Sequence, residues 1–136
     1  LIIEDDPEVR QTLVYLLEEE GYDVVVAEDG VKGIKKFASD QPDLVITDVF
    51  MPNQEGFQTI REILALKPQA KIIAASAGFT SSSAGDDGKR DFYLRMAHQL
   101  GAIEVIPKPF EIDDLIRRVE RCLSSGPPSA SRLMPR

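Results

Sequence analysis

Apolar residues along this chain follow two alternating rhythms. Short runs rich in β-branched and aliphatic residues occupy positions 1–3, 22–27, 44–47, 71–75 and 103–106. Between them, apolar residues recur every three or four positions. The first rhythm predicts strands and the second predicts amphipathic helices. Asp6-Pro7 reads as an N-cap with proline at the first helical position, ahead of Val9, Leu13, Leu16 and Leu17, and Gly21 reads as the stop. Val31, Ile34, Phe37 and Ala38 mark a second helix. Phe57, Ile60, Ile63 and Leu64 mark a third, closing near Lys67-Pro68. Residues 92–100 predict a fourth, ended by Gly101, and Ile112, Leu115, Ile116, Val119 and Leu123 a fifth. Five strand–helix alternations predict an α/β fold with a five-stranded parallel sheet and helices on both faces. Right-handed crossovers limit it to a few doubly wound arrangements.

Composition narrows the class without changing the pattern. The chain has 136 residues, 43% hydrophobic and 29% charged, which suits one soluble globular domain with one real core. That pattern covers residues 1–123, while residues 124–136, rich in Ser and Pro, read as a disordered tail or linker. Residues 79–89 form a Gly/Ser/Asp-rich loop that is long for an α/β connection. The opening run has no methionine and reads as a strand that begins upstream; acid follows at once, so no secretory leader is expected. No apolar run approaches the roughly 20 residues of a membrane span, so no membrane insertion is expected. A single cysteine, Cys122, excludes an internal disulfide framework and a cysteine-based zinc site, and points to a reducing cytoplasm. The net charge of −7 argues against direct nucleic-acid binding but leaves room for a basic partner or a divalent cation.

Open parallel sheets bind ligands beyond the carboxyl ends of their strands, so strand-terminal residues carry the candidate chemistry. The first strand leads into Glu4-Asp5-Asp6, the third into Asp48, the fourth into Ser76 and the fifth into Lys108. Taken singly, each has a structural explanation: acids favour a helix N-terminus, and Asp48 suits a turn before Met51-Pro52. Ser76 and Lys108 would pass as surface residues. Together they change the picture. Glu4, Asp5 and Asp48 would crowd like charges, which recruits a cation, and Mg²⁺ accepts a few carboxylates while keeping water or phosphate in its other positions. With Lys108 as a positive charge and Ser76 as a hydroxyl donor, the set suits phosphoryl transfer onto Asp48.

These motifs resemble the response-regulator receiver family, of the CheY-like type. The matching residues are Ile2-Ile3-Glu4-Asp5-Asp6-Pro7; Asp43 through Pro52 with Gly56; Ala75-Ser76-Ala77; and Lys108-Pro109-Phe110, in the family's order over roughly residues 1–123. The resemblance implies a flavodoxin-like strand order, 2-1-3-4-5. It implies Asp48 as phosphoacceptor and metal ligand, Asp5 as a direct Mg²⁺ ligand, Glu4 as a ligand largely through water, and the Phe50 backbone carbonyl as a further ligand. Ser76 matches the switch hydroxyl and Lys108 the lysine that pairs with phosphoryl oxygens, aimed by a cis bond before Pro109. Asp6 falls to helix capping. The implied donor is a histidine kinase or phosphotransfer protein, and the implied recipient of the signal is an output domain or protein. Phosphorylation would draw Ser76 inward and repack the surface of the 92–100 helix, the fifth strand and the last helix.

Three positions depart from the family. Val105 stands where a switch aromatic is usual, the 78–89 loop is long, and Phe50 and Gly78 occupy variable places bordering the phosphoryl group. Other features carry structural readings: His98 as a surface helix residue, Cys122 as core, and Arg117, Arg118 and Arg121 as a solvated basic face. Two other functions fit less well. An aspartyl-nucleophile phosphatase wants a second acid where Phe50 stands. A flavin module wants a hydroxyl- and glycine-rich loop where Glu4-Asp5-Asp6 stands. A receiver-like module that never takes phosphate is argued against by the complete acidic set.

Overall fold

The computed structural model describes residues 1–48, 55–76, 95, 98–99, 101–107 and 111–125, those at 55, 76, 107 and 125 by backbone. In chain order the elements are β1 (Ile2–Ile3), α1 (Pro7–Glu19), β2 (Val26–Ala27), α2 (Gly30–Asp40), β3 (Val45–Asp48), α3 (Glu55–Leu66), β4 (Ile72–Ser76), β5 (Glu104–Pro107) and α4 (Ile112–Ser125). Residues 95, 98 and 99 are also helical, and Gly101, at φ +114°, donates its N–H to the His98 carbonyl as that segment ends. The strands form one parallel sheet in the order β2-β1-β3-β4-β5, as the resemblance implied.

The continuous apolar runs are explained by two cores. Successive side chains of a strand point to opposite faces, so a strand buried on both sides needs no polar alternation. Ile3, Val45, Ile72, Ala74 and Val105 enter one core, with Phe37 of α2 and Phe57, Ile60 and Ile63 of α3. Their neighbours Ile2, Ile46, Ile73, Ala75 and Ile106 enter the other, with Leu13 and Leu17 of α1 and Leu115, Val119 and Cys122 of α4. Helices α2 and α3 therefore cover one face, α1 and α4 the other. Full burial of an isoleucine such as Ile60 or Ile73 contributes about 1.5–3 kcal/mol.

Local signals set the helix ends. Asp6 caps α1 by accepting the Glu8 N–H at 2.9 Å, with Pro7 in the first turn. Gly21, at φ +92°, lets the chain turn back after α1. Asp29 caps α2 through the Lys32 N–H at 2.8 Å. Gly33 lies so close to β1 that a Cβ there would stand 2.4 Å from Ile3 Cδ1, so only glycine seats α2 at this depth.

Three expectations are corrected. The strand foreseen over 22–27 pairs only through Val26–Ala27, because β2 is an edge strand whose single neighbour, β1, offers two residues. Val31 is 63% exposed: Gly30, Gly33 and Phe37 form the buried line of α2, and position 31 falls on its flank. Arg118 is not simply solvated. It donates to Glu104 at 3.1 Å, to the Val105 carbonyl at 2.9 Å and to Asp114 at 3.1 Å, while Arg121 reaches Glu104 at 2.7 Å. Arg118, nearly two turns into α4, lies over β5, where a carboxylate and a carbonyl await it. Cys122 is buried and burial pushes its thiol pKa up, consistent with a core role. His98 is exposed, as foreseen. The 78–89 loop and positions 126–136 lie outside the described residues.

Candidate functional site

Strand register determines what meets at the carboxyl edge of the sheet. Ile3 pairs with Thr47, so the next residues, Glu4 and Asp48, arrive side by side. Glu4 extends the strand by donating its N–H to the Ala27 carbonyl at 3.1 Å. Asp48 is the last residue of β3 and pairs with Ala75. Ser76, one place further, closes β4 opposite Pro107 of β5. Backbone placement thus puts Ser76 at the same edge, on the strand next to that of Asp48.

Carboxylate oxygens of Glu4, Asp5 and Asp48 all lie within 4.8 Å of one another. Glu4 is 3% exposed and Asp48 5%, whereas Asp5 faces solvent. Two buried carboxyl groups beside a third concentrate oxygen donors at one point of the sheet edge. Among the described residues the donors are all carboxylate oxygens, with Asp5 exposed, a set that fits a hard divalent cation retaining water or phosphate oxygens and does not fit a soft metal. The acidic turn is held in shape. The Asp6 N–H donates to Glu4 Oε2 at 3.2 Å, and Arg10 Nη1 donates to the Glu4 carbonyl at 2.7 Å. Thr47, fully buried, donates its hydroxyl to the Asp48 carbonyl at 3.3 Å.

Arg10 and Thr47 were not singled out by sequence reasoning. Arg10 did carry a signal: a cation in the first turns of a helix runs against the helix dipole and calls for a local acceptor. Thr47, a lone hydroxyl in an apolar run, needs a hydrogen-bond partner when buried. Phe50, Lys108 and Pro109 lie outside the described residues. Val105 is buried in β5 at 9% exposure. Among the described residues no helix is long and apolar enough to cross a membrane.

Comparison with known proteins places this geometry in context. A family model described as "Response regulator receiver domain" matches residues 1–120. The DNA-binding transcriptional regulator NtrC of Azospirillum brasilense is 34% identical over 131 residues, covering 96% of this chain and 25% of that protein. Response regulator MprA of Mycobacterium avium is 32% identical over 130 residues, covering 94% and 52%. The chain therefore spans between a quarter and about half of the length of these relatives. Among solved structures, a response regulator receiver domain protein from Clostridium thermocellum superposes with a TM-score of 0.77 at 27% identity, covering 91% of this chain and 92% of that one. The receiver domain of NtrX from Brucella abortus reaches 0.78 at 24% identity, covering 92% and 98%, a likeness of fold.

Proposed function

The chain belongs to the response regulator receiver family, and from this premise we propose that it is a phosphorylation-dependent switch whose phosphoacceptor is Asp48. The observation that carries the reading is the convergence of Glu4, Asp5 and Asp48 within 4.8 Å, two of them buried. Glu4, Asp5 and Asp48, with the Phe50 carbonyl, would hold Mg²⁺, which when bound neutralises charge on the phosphoryl oxygens. Asp5 supplies the solvent-facing carboxylate, at the mouth through which donor and water pass. The Asp6 N–H and the Arg10 guanidinium hold the Glu4 turn still, so no reorganisation is needed at the moment of transfer.

In the transfer, one Asp48 carboxylate oxygen attacks phosphorus in line. The new Asp48 O–P bond forms as the bond from phosphorus to the donor breaks, and the donor leaves with the electron pair. Lys108 pairs with the phosphoryl oxygens and the Ser76 hydroxyl donates to them. The donor is a histidine kinase or phosphotransfer protein, and the charge gained, about −1.5 to −2, shifts a pre-existing equilibrium toward a shape read by an output partner. Any autodephosphorylation is hydrolysis at this same centre. The receiver unit lies in the cytoplasm and runs through the end of α4 at Ser125, two residues beyond the boundary foreseen at 123, and the Ser- and Pro-rich remainder of the sequence is a tail or linker.

The test is incubation with acetyl phosphate and Mg²⁺ followed by intact mass. One added phosphoryl group is expected, and none in Asp48→Asn. A folded, metal-saturated protein that gains no mass would instead be an interaction module of receiver shape.

A further inference from the structure

The open edge of β2 is flanked by cations from two helices. Arg10 of α1 stands on one side, and Lys32, Lys35 and Lys36 of α2 stand on the other, around a groove floored by Val26 and Ala27. All three lysines are exposed. Glu28 also lines the groove and is ion-paired with Lys32, so the net positive charge there comes from Arg10, Lys35 and Lys36. This groove stands out on a chain whose net charge is −7.

Backbone geometry gives the groove a direction. Ile2 N–H bonds the Val25 carbonyl at 2.9 Å and Glu4 N–H bonds the Ala27 carbonyl at 3.1 Å. In a parallel ladder these alternate, so the N–H and carbonyl of Val26 point away from β1 toward the open edge. The side chain there is β-branched, apolar and 36% exposed. Edges are protected by shortness, by cover, or by charge and proline on the strand itself; β2 is short, but neither of its two residues is charged or proline. Here the strand is Val26–Ala27 and the charge lies beside it. A second copy pairing through the same edge would bring lysines against lysines.

We infer that the β2 edge groove docks an extended acidic segment of a partner protein. The segment adds as a strand against Val26, while its carboxylates face Lys35, Lys36 and Arg10. The Glu4 carbonyl takes one of the five guanidinium N–H donors of Arg10. The groove adjoins the Asp48 centre through Arg10, which bonds the Glu4 carbonyl, and it does not depend on phosphate transfer.

The experiment is fluorescence anisotropy of a fluorescein-labelled peptide of alternating Glu and Val, titrated with the full chain at low ionic strength. Saturable binding is expected. It weakens roughly tenfold in the double variant Lys35→Glu, Lys36→Glu, and is retained with arginine at both positions. A peptide N-methylated at alternate amides keeps its charges but loses the strand hydrogen bonds, and is expected not to bind. Absence of binding, or binding indifferent to the charge reversal, would overturn the inference. Equal binding of the N-methylated peptide, or of a duplex oligonucleotide, would also overturn it by showing a general polyanion surface.

Discussion

Glu104 and Asp114 sit among arginines, whereas Glu4, Asp5 and Asp48 sit among one another. On the α4–β5 surface, Arg118 and Arg121 reach Glu104, and Arg117 and Arg118 reach Asp114, at 2.7–3.1 Å. The guanidiniums hold the Asp114 carboxyl below its ordinary value, first through the Arg117 hydrogen bond and then through that of Arg118. At the sheet edge, by contrast, three carboxylates crowd within 4.8 Å and two are buried. Carboxylates matched with arginines in one rigid network act as fasteners between elements. Carboxylates gathered at strand ends are those on which the proposed cation and phosphoryl group would act. The difference lies in which neighbours the fold supplies, since the side chains are of the same kind.

That contrast can be tested by weakening each group in turn. The largest stability effect is expected at the acidic edge. Mg²⁺ at about a hundred times its Kd stabilises by about 2.7 kcal/mol through linkage, and Asp5→Ala removes most of that gain. Thermal melts with and without Mg²⁺ read the difference, and a cation that shifts neither protein would erase the distinction between the two groups. Next comes Arg118→Ala, expected to cost about 1–2 kcal/mol in urea unfolding, because the half-buried Arg118 serves two carboxylates and a carbonyl. Arg117→Ala, in a pair where the arginine is 68% exposed, is expected to stay within about 0.5 kcal/mol. A loss as large as that of Arg118→Ala would show that exposure does not decide the ranking.

The smallest effect is in pH dependence. Asp114 has a folded pKa below its ordinary 3.8, so it adds stability above that value which is lost as pH falls through the folded pKa. Asp114→Asn is therefore expected to lose slightly less stability than wild type on acidification below about pH 4, as read by urea midpoints. An unchanged acid limb would separate the hydrogen bonds from any titration.

Much of the fold was legible because periodicity is local. The apolar runs at 44–47 and 71–75 became β3 and β4 shifted by one residue, and Asp6-Pro7 and Gly21 bounded α1. What failed depended on neighbours far along the chain. Strand 22–27 shrank to two paired residues because an edge strand is only as long as its partner. Val31 left the core because two glycines moved the buried line of α2. Arg10 escaped notice because its acceptor is a backbone carbonyl, which no side-chain motif advertises.

By itself, the sequence determined the kinds and order of elements, the two-sided burial of the strands, and the acids that end β1 and β3. These follow from side-chain period and capping chemistry, which act over a few residues. The meeting of Glu4 and Asp48 was foreseen from the strand ends, but only the tertiary structure decided that Arg118 closes over Glu104 and that Val26 faces an open edge between lysines and Arg10. Each of those depends on strand order and register, which are settled by which faces bury together and not by any residue's own preference.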